Sequence, residues 1–212
     1  MRRLAAASIA VLLAACGSRP PAPDWQVNAH GSLQRYEQAW LAGSDRAAQA
    51  EFDRARRALA ATGQAGLVAR AELTRCALQV ASLDFQACPG FEALRADAPA
   101  AERAYADYLQ GAPIAADLLP APHRAVAGGA DAARLAAIED PFSRLVAAGV
   151  AMRAGRASPD LLQVAVDTAS AQGWRRPLLA WLGAQLKLAE QRGDGEQAAR
   201  LQRRIALAAG QR

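Results

Sequence analysis

From Ser32 to the C-terminus, apolar residues return at intervals of three and four between regularly placed helix breakers. Nowhere do they alternate with polar ones over a strand's length. That pattern allows only helices. Ser32 is expected to open a first helix, with Leu33, Tyr36 and Trp40 on one face and Gly43 closing it. Ser44 is expected to cap a second, which turns Ala48, Phe52, Ala55 and Leu59 inward and ends near Gly63. A third, over residues 64–83, carries Leu67, Ala71, Leu78 and Ala81 inward and bears Cys76, before Cys88-Pro89-Gly90 breaks the chain. Shorter helices are expected over 91–96 and 100–109. Residues 111–129, with Pro113, Pro120, Pro122 and Gly128-Gly129, read as irregular with at most short helices.

The C-terminal half repeats one device. After a helix over 131–138, Asp140-Pro141 and Ser158-Pro159 each place a cap residue before a proline at the first helical position. The helices that follow turn in Phe142, Leu145, Val146, Gly149 and Met152, then Leu161, Leu162, Ala165, Val166 and Ala169. Gly173 ends the second of these. Pro177 is expected to start a helix with Trp181, Leu182 and Leu186 inward, closed by Gly193. Asp194 caps the last, with Gln197 at capping-box spacing and Leu201, Ile205 and Ala208 facing in.

Helices joined by turns of two to four residues pack antiparallel with their neighbours. The expected fold is therefore all-α: antiparallel hairpins forming a short α-solenoid or repeat-like bundle, over residues 32–110 and 130–212, with the irregular segment 111–129 between. Ala48-x-x-x-Phe52-x-x-Ala55, with Gly43 before it, resembles the second helix of tetratricopeptide repeats, and Ala198 and Ile205 echo it after Gly193-Asp194. Tyr36 is bulkier than that family's first helix prefers, and no clean 34-residue period runs through the middle. The resemblance implies a protein-binding scaffold.

The N-terminus has a separate logic. Arg2 and Arg3 precede an apolar run, Leu4 to Ala15, which is too short to span a bilayer and has the layout of a secretory signal. Leu13-Ala14-Ala15-Cys16, followed by Gly17 and Ser18, resembles the lipobox of bacterial lipoproteins. The alternative is an ordinary secretory peptide that happens to contain a cysteine. The resemblance implies removal of residues 1–15, a diacylglycerol on the Cys16 thiol and acylation of the freed amine. Anchoring by two or more chains is stable where one is reversible. Gly17 stands where an Asp would, by the same resemblance, retain the protein at the inner membrane, so the periplasmic face of the outer membrane is the expected destination. Residues 16–31, with Pro20, Pro21 and Pro23, read as a flexible tether reaching roughly 50 Å when extended.

Removing residues 1–15 from the 212-residue chain leaves 197, enough for one domain or two small ones. The formal charge of +5 falls to +3 without Arg2 and Arg3. With Lys187 the only lysine and no basic patch interleaved with aromatics, a nucleic-acid partner is not expected. In an oxidising periplasm, Cys76 and Cys88 are expected to form a disulfide, two buried thiols being the alternative. A cysteine-based metal site lacks further ligands, since neither His30 nor His123 lies nearby in sequence.

Catalytic constellations are thin. His123 lacks a nucleophile elbow to serve and reads as a loop histidine. Asp140, in the pair Glu139-Asp140, is already assigned as a cap. Gly128-Gly129 lacks the strand and lysine of a phosphate loop. No catalytic, cofactor or metal residue is therefore assigned, and the chain reads as a non-enzyme. Trp174, Arg175 and Arg176 are the partner-contact candidates, because Trp and Arg dominate binding hot spots. Two arginines at a helix start oppose its dipole, an arrangement suited to an anionic partner or an acidic neighbour. The functional expectation is a membrane-anchored adaptor binding an envelope protein. A carrier or sensor of a hydrophobic or anionic ligand is the alternative, and the oligomeric state stays open.

Overall fold

The computed structural model describes residues 22–210. Its α-helices are α1 (Asp24–Leu41), α2 (Asp45–Ala60), α3 (Ala65–Ala81), α4 (Pro89–Glu92), α5 (Ala100–Leu109), α6 (Ala132–Ala136), α7 (Pro141–Arg153), α8 (Pro159–Ala171), α9 (Arg175–Gln191) and α10 (Gly195–Ala209). Short 3-10 turns lie at Arg95–Asp97, Ala116–Leu118 and Ala121–Val126. Among the described residues there is no strand. The fold is all-α and repeat-like: α1 packs on α2, α2 on α3, α3 on α7, and α7, α8, α9 and α10 follow as successive neighbours. The short elements between α3 and α7 fill in around that crossing, and α1 also touches α9.

The position of α3 follows from its sequence. It is apolar nearly all round, so it must be covered on more than one side. Val68, Ala71 and Leu78 join a cluster with Tyr36, Phe52 and Leu59 of the first hairpin. Leu73, Ala77 and Val80 belong to the larger cluster built with α5, α7, α8 and α9. Where α3 crosses α7, Gly149 lies so close that a Cβ there would fall 2.2 Å from the Val80 carbonyl oxygen. A glycine inside a helix is unfavourable on its own by roughly 1 kcal/mol, and here it permits close helix approach.

The caps carry the expected hydrogen bonds in the C-terminal half. Asp140 accepts from the Ser143 N–H at 2.7 Å, Ser158 from Leu161 at 3.1 Å and Asp194 from Gln197 at 3.0 Å. Gly43, at φ +79°, ends the first hairpin helix in the left-handed region. α3 ends instead on Leu83, at φ 57°, a conformation that a branched residue holds only where its surroundings fix it.

The helix expected over 91–96 is split into α4 and the 3-10 turn at Arg95–Asp97, and the one expected over 131–138 is shortened to Ala132–Ala136. Two helix starts are displaced. The first helix begins at Asp24 rather than Ser32, so residues 24–31 are helical and are not tether. Pro23 supplies the entry, Asp24 complements the dipole, and Ala29 is buried with Trp25 packed beside it. Packing thereby outweighs the helix penalty of Gly31. Ser32 is no cap: it is buried mid-helix, where its hydroxyl accepts from Arg35 at 3.0 Å. The second displaced start is that of α9, which begins at Arg175, two residues ahead of Pro177.

Candidate functional site

The lipidation candidate Cys16 and the signal segment 1–15 lie outside the described residues, as does the tether up to residue 21. Among the described residues, no helix is long and apolar enough to cross a membrane.

Two of the three partner-contact candidates, Arg175 and Arg176, meet the turn between α1 and α2. Trp174 precedes α9 and is half-buried against both apolar clusters. Arg176 donates through Nε to the Trp40 carbonyl at 2.7 Å, and its guanidinium carbon sits 4.2 Å from the Trp40 ring centroid. Its other end pairs with Asp45, at the start of α2. Arg175 donates to the Ala42 carbonyl at 3.2 Å and stays largely exposed. The acidic neighbour that the two arginines called for is therefore Asp45 of the same chain. These contacts fasten the first hairpin to the start of α9. Beside them, Gly43, Arg175, Leu179 and Ala209 border an open cleft of about 400 Å³.

A second cluster centres on Glu72, only 1 % exposed in the middle of α3. Its Oε1 accepts from Arg56 at 2.9 Å, and Oε2 lies 2.5 Å from Arg75 as an ion pair without hydrogen-bond alignment. Arg75 also lies over the Phe52 ring, 4.6 Å from its centroid. Cys76 and Cys88 form a disulfide, with Cα atoms 6.0 Å apart, which brings the Pro89-Gly90 turn onto this carboxylate. A Cβ on Gly90 would fall 2.2 Å from Oε2. Nearby, the Tyr36 hydroxyl is buried without a hydrogen-bond partner, and burial pushes its pKa well above the usual phenol range against the opposing pull of Arg75. Sequence reading gave Glu72 no role, because Arg70 and Arg75 beside it make it look like one of a group of solvated surface charges.

The third feature is a cleft of about 430 Å³ among α3, α5, α7 and the segment 117–124. Leu73 and Ala77 of α3, Tyr105 of α5, Phe142 of α7 and Leu118 and Leu119 give it apolar walls. Behind Tyr105, an aromatic group supports it: Tyr105 stacks on Tyr108 at 6.1 Å, and His123 lies 5.2 Å from Tyr108 between ring centroids. His123 is buried to 2 % exposure, with Nδ1 3.5 Å from the Tyr108 hydroxyl. Burial drives its pKa down to about 4, opposed by the charge of Asp140. It stands in a short 3-10 turn, and its imidazole is part of the core. Its sequence neighbourhood of Pro and Ala gave no sign of this.

Among the described residues, no group of three or more His, Cys, Asp or Glu side chains is placed to hold a metal ion. Comparison with protein-family models, with curated proteins and with solved structures found no match for this chain.

Proposed function

We propose that this chain is a lipid-anchored adaptor of the bacterial cell envelope, held by Cys16 at the periplasmic face of the outer membrane and binding an envelope protein through its helical hairpins. The observation that carries the reading is Leu13-Ala14-Ala15-Cys16 behind Arg2-Arg3 and a short apolar run. Two or more acyl chains at one cysteine hold a protein at the bilayer without a spanning helix. A stack of helices offers broad side-chain surface for a partner, as repeat architectures do, and the tetratricopeptide-like pattern around Ala48, Phe52 and Ala55 points the same way.

The contact face we favour is the end of the molecule where α9 begins and α10 ends. Arg175 is exposed there, Trp174 is half-exposed, and Leu207 of α10 is 81 % exposed. An Arg and a large apolar residue left in solvent are what an interface core takes up. Arg176 is the poorer contact, because its guanidinium is already engaged by Trp40 and Asp45.

The test has two stages. Fractionation of cells labelled with a fatty acid should find the label on the wild-type chain in the outer membrane, and none on Cys16→Ser. Unlabelled wild type would end the anchor reading. Capture from detergent-solubilised envelopes, with an Arg175→Ala, Leu207→Asp double variant as control, then tests the adaptor. A defined set of proteins retained by wild type and lost by the variant is expected. An empty capture from correctly anchored protein would overturn the adaptor reading and leave the anchor standing.

A further inference from the structure

The cleft among α3, α5 and α7 has a composition that selects its occupant. Its volume of about 430 Å³ lies in the range of small-molecule sites. The charges at its margin balance in sign, and one opposed pair is already closed. Arg70 pairs with Glu102 at 2.6 Å, and Arg124 donates through Nε to the Leu119 carbonyl at 3.0 Å. Asp117 adds one negative charge to the same margin, so two guanidiniums face two carboxylates. No net charge is left to select an ionic ligand. The Thr74 hydroxyl is also engaged, donating to the Arg70 carbonyl at 3.1 Å.

The backbone argues against a peptide. Three walls are helices whose amides and carbonyls are bonded within the helix. In the fourth, the Leu118 and Leu119 amides donate to Ala115 and Ala116. An extended peptide would bring its own amides into an apolar cleft and leave them without partners. A hydrocarbon chain has no such groups to satisfy. Leu118, at 41 % exposure, is a large apolar residue in solvent at the lip of this cleft.

We propose that this cleft binds the hydrocarbon chain of an amphiphile, with Leu73, Ala77 and Phe142 against the chain, Leu118 closing over it, and no charged head group required. The inference is independent of the adaptor reading, since it concerns a different face and does not depend on the anchor.

Straight-chain alcohols are the probe, titrated calorimetrically from hexanol to decanol into the full-length Cys16→Ser chain, with the matching carboxylates as a second arm. Saturable binding at one site is expected, tightening about fourfold per added methylene until the cleft is full. Octanol and octanoate should bind within about threefold of each other. Ala101→Phe, from an exposed wall position, and Leu118→Asp, at the lip, should each weaken octanol binding at least tenfold while leaving the thermal transition in place. Absence of saturable binding, affinity that does not grow with chain length, or affinity untouched by both variants would overturn the assignment. So would octanoate bound tenfold tighter than octanol and returned to parity by Arg124→Ala, because the cleft would then select an anion.

Discussion

Trp40 of α1 and Trp181 of α9 direct their indole N–H groups to the same place, the last turn of α3. Trp40 donates to the Leu78 carbonyl at 3.2 Å and shares its N–H with the Ser82 hydroxyl, and Trp181 donates to the Ala81 carbonyl at 3.0 Å. The final carbonyls of a helix have no partner within it, and this helix end is buried. Two helices from opposite ends of the chain thus complete the hydrogen bonding of a third. Trp181 is fully buried and Trp40 half-buried, so the two bonds are not equivalent.

Trp181→Phe should therefore be the more damaging. It removes a donor from a carbonyl that water cannot reach, at a cost of about 1–3 kcal/mol. Trp40→Phe should lose less on that account, since its indole is only half-buried and its N–H is shared between two acceptors at 3.2 Å. Urea midpoints of the two variants, compared at unchanged slope, test the order. A larger loss in Trp40→Phe would show that the α3 end is sealed mainly by the first hairpin.

The two close glycines and one open glycine make a second, internally controlled set. Gly149→Ala would drive a methyl onto the Val80 carbonyl, and Gly90→Ala onto Glu72. Overpacking of this kind destabilises by roughly 1–3 kcal/mol or more. Gly183, inside α9, has no neighbour within 4 Å of its would-be Cβ. Gly183→Ala should instead stabilise by about 0.5–1 kcal/mol through helix propensity. Thermal melts of the three proteins should place them on opposite sides of wild type.

Acid should weaken the fold through His123. An unperturbed imidazole titrates near 6.5, and burial holds this one at about 4. Between those values the unfolded chain binds the proton and the folded chain does not, so stability rises with pH across that window. The contribution is full above about 6.5 and is lost progressively as pH falls toward 4, amounting to about 3 kcal/mol at most. His123→Phe should flatten the urea midpoint between pH 4 and 6.5. A wild-type profile already flat over that interval would mean that His123 is protonated in the folded state.

The disulfide Cys76–Cys88 closes a short loop, and Cys76→Ala should lower stability by roughly 3 kcal/mol under oxidising conditions. With reductant present, wild type and variant should melt together apart from the small change in side-chain packing. A deficit of the same size in both conditions would assign the effect to packing of the Cys76 side chain in the core.

Arg176 supplies the closure between the two ends of the bundle. Arg176→Ala removes the Trp40 carbonyl bond, the cation–π contact and the Asp45 pair together. The loss should be about 1–2 kcal/mol, reduced by solvent at a partly exposed site. Arg175→Ala, which loses only a bond to the Ala42 carbonyl, should stay within about 0.5 kcal/mol of wild type. Hydrogen exchange should then open α1 and the start of α9 selectively in the Arg176 variant. Uniform loss of protection would show that this contact supports the whole core.

The sequence alone determined what is local. Spacing of apolar residues and the Asp140, Ser158 and Asp194 caps made the chain all-helical and set where the C-terminal helices begin. These signals act within one or two turns, so they survive without knowledge of the rest of the chain. The tertiary structure decided everything that depends on residues distant in sequence. It extended α1 back to Asp24 because Ala29 and Trp25 find cover there. It turned Arg175 and Arg176 toward α1 and α2, buried Glu72 beneath the disulfide turn, and assembled the cleft from three helices and a 3-10 segment. Helix periodicity tells a residue which way to face along its own axis, and only packing decides which other helix it meets.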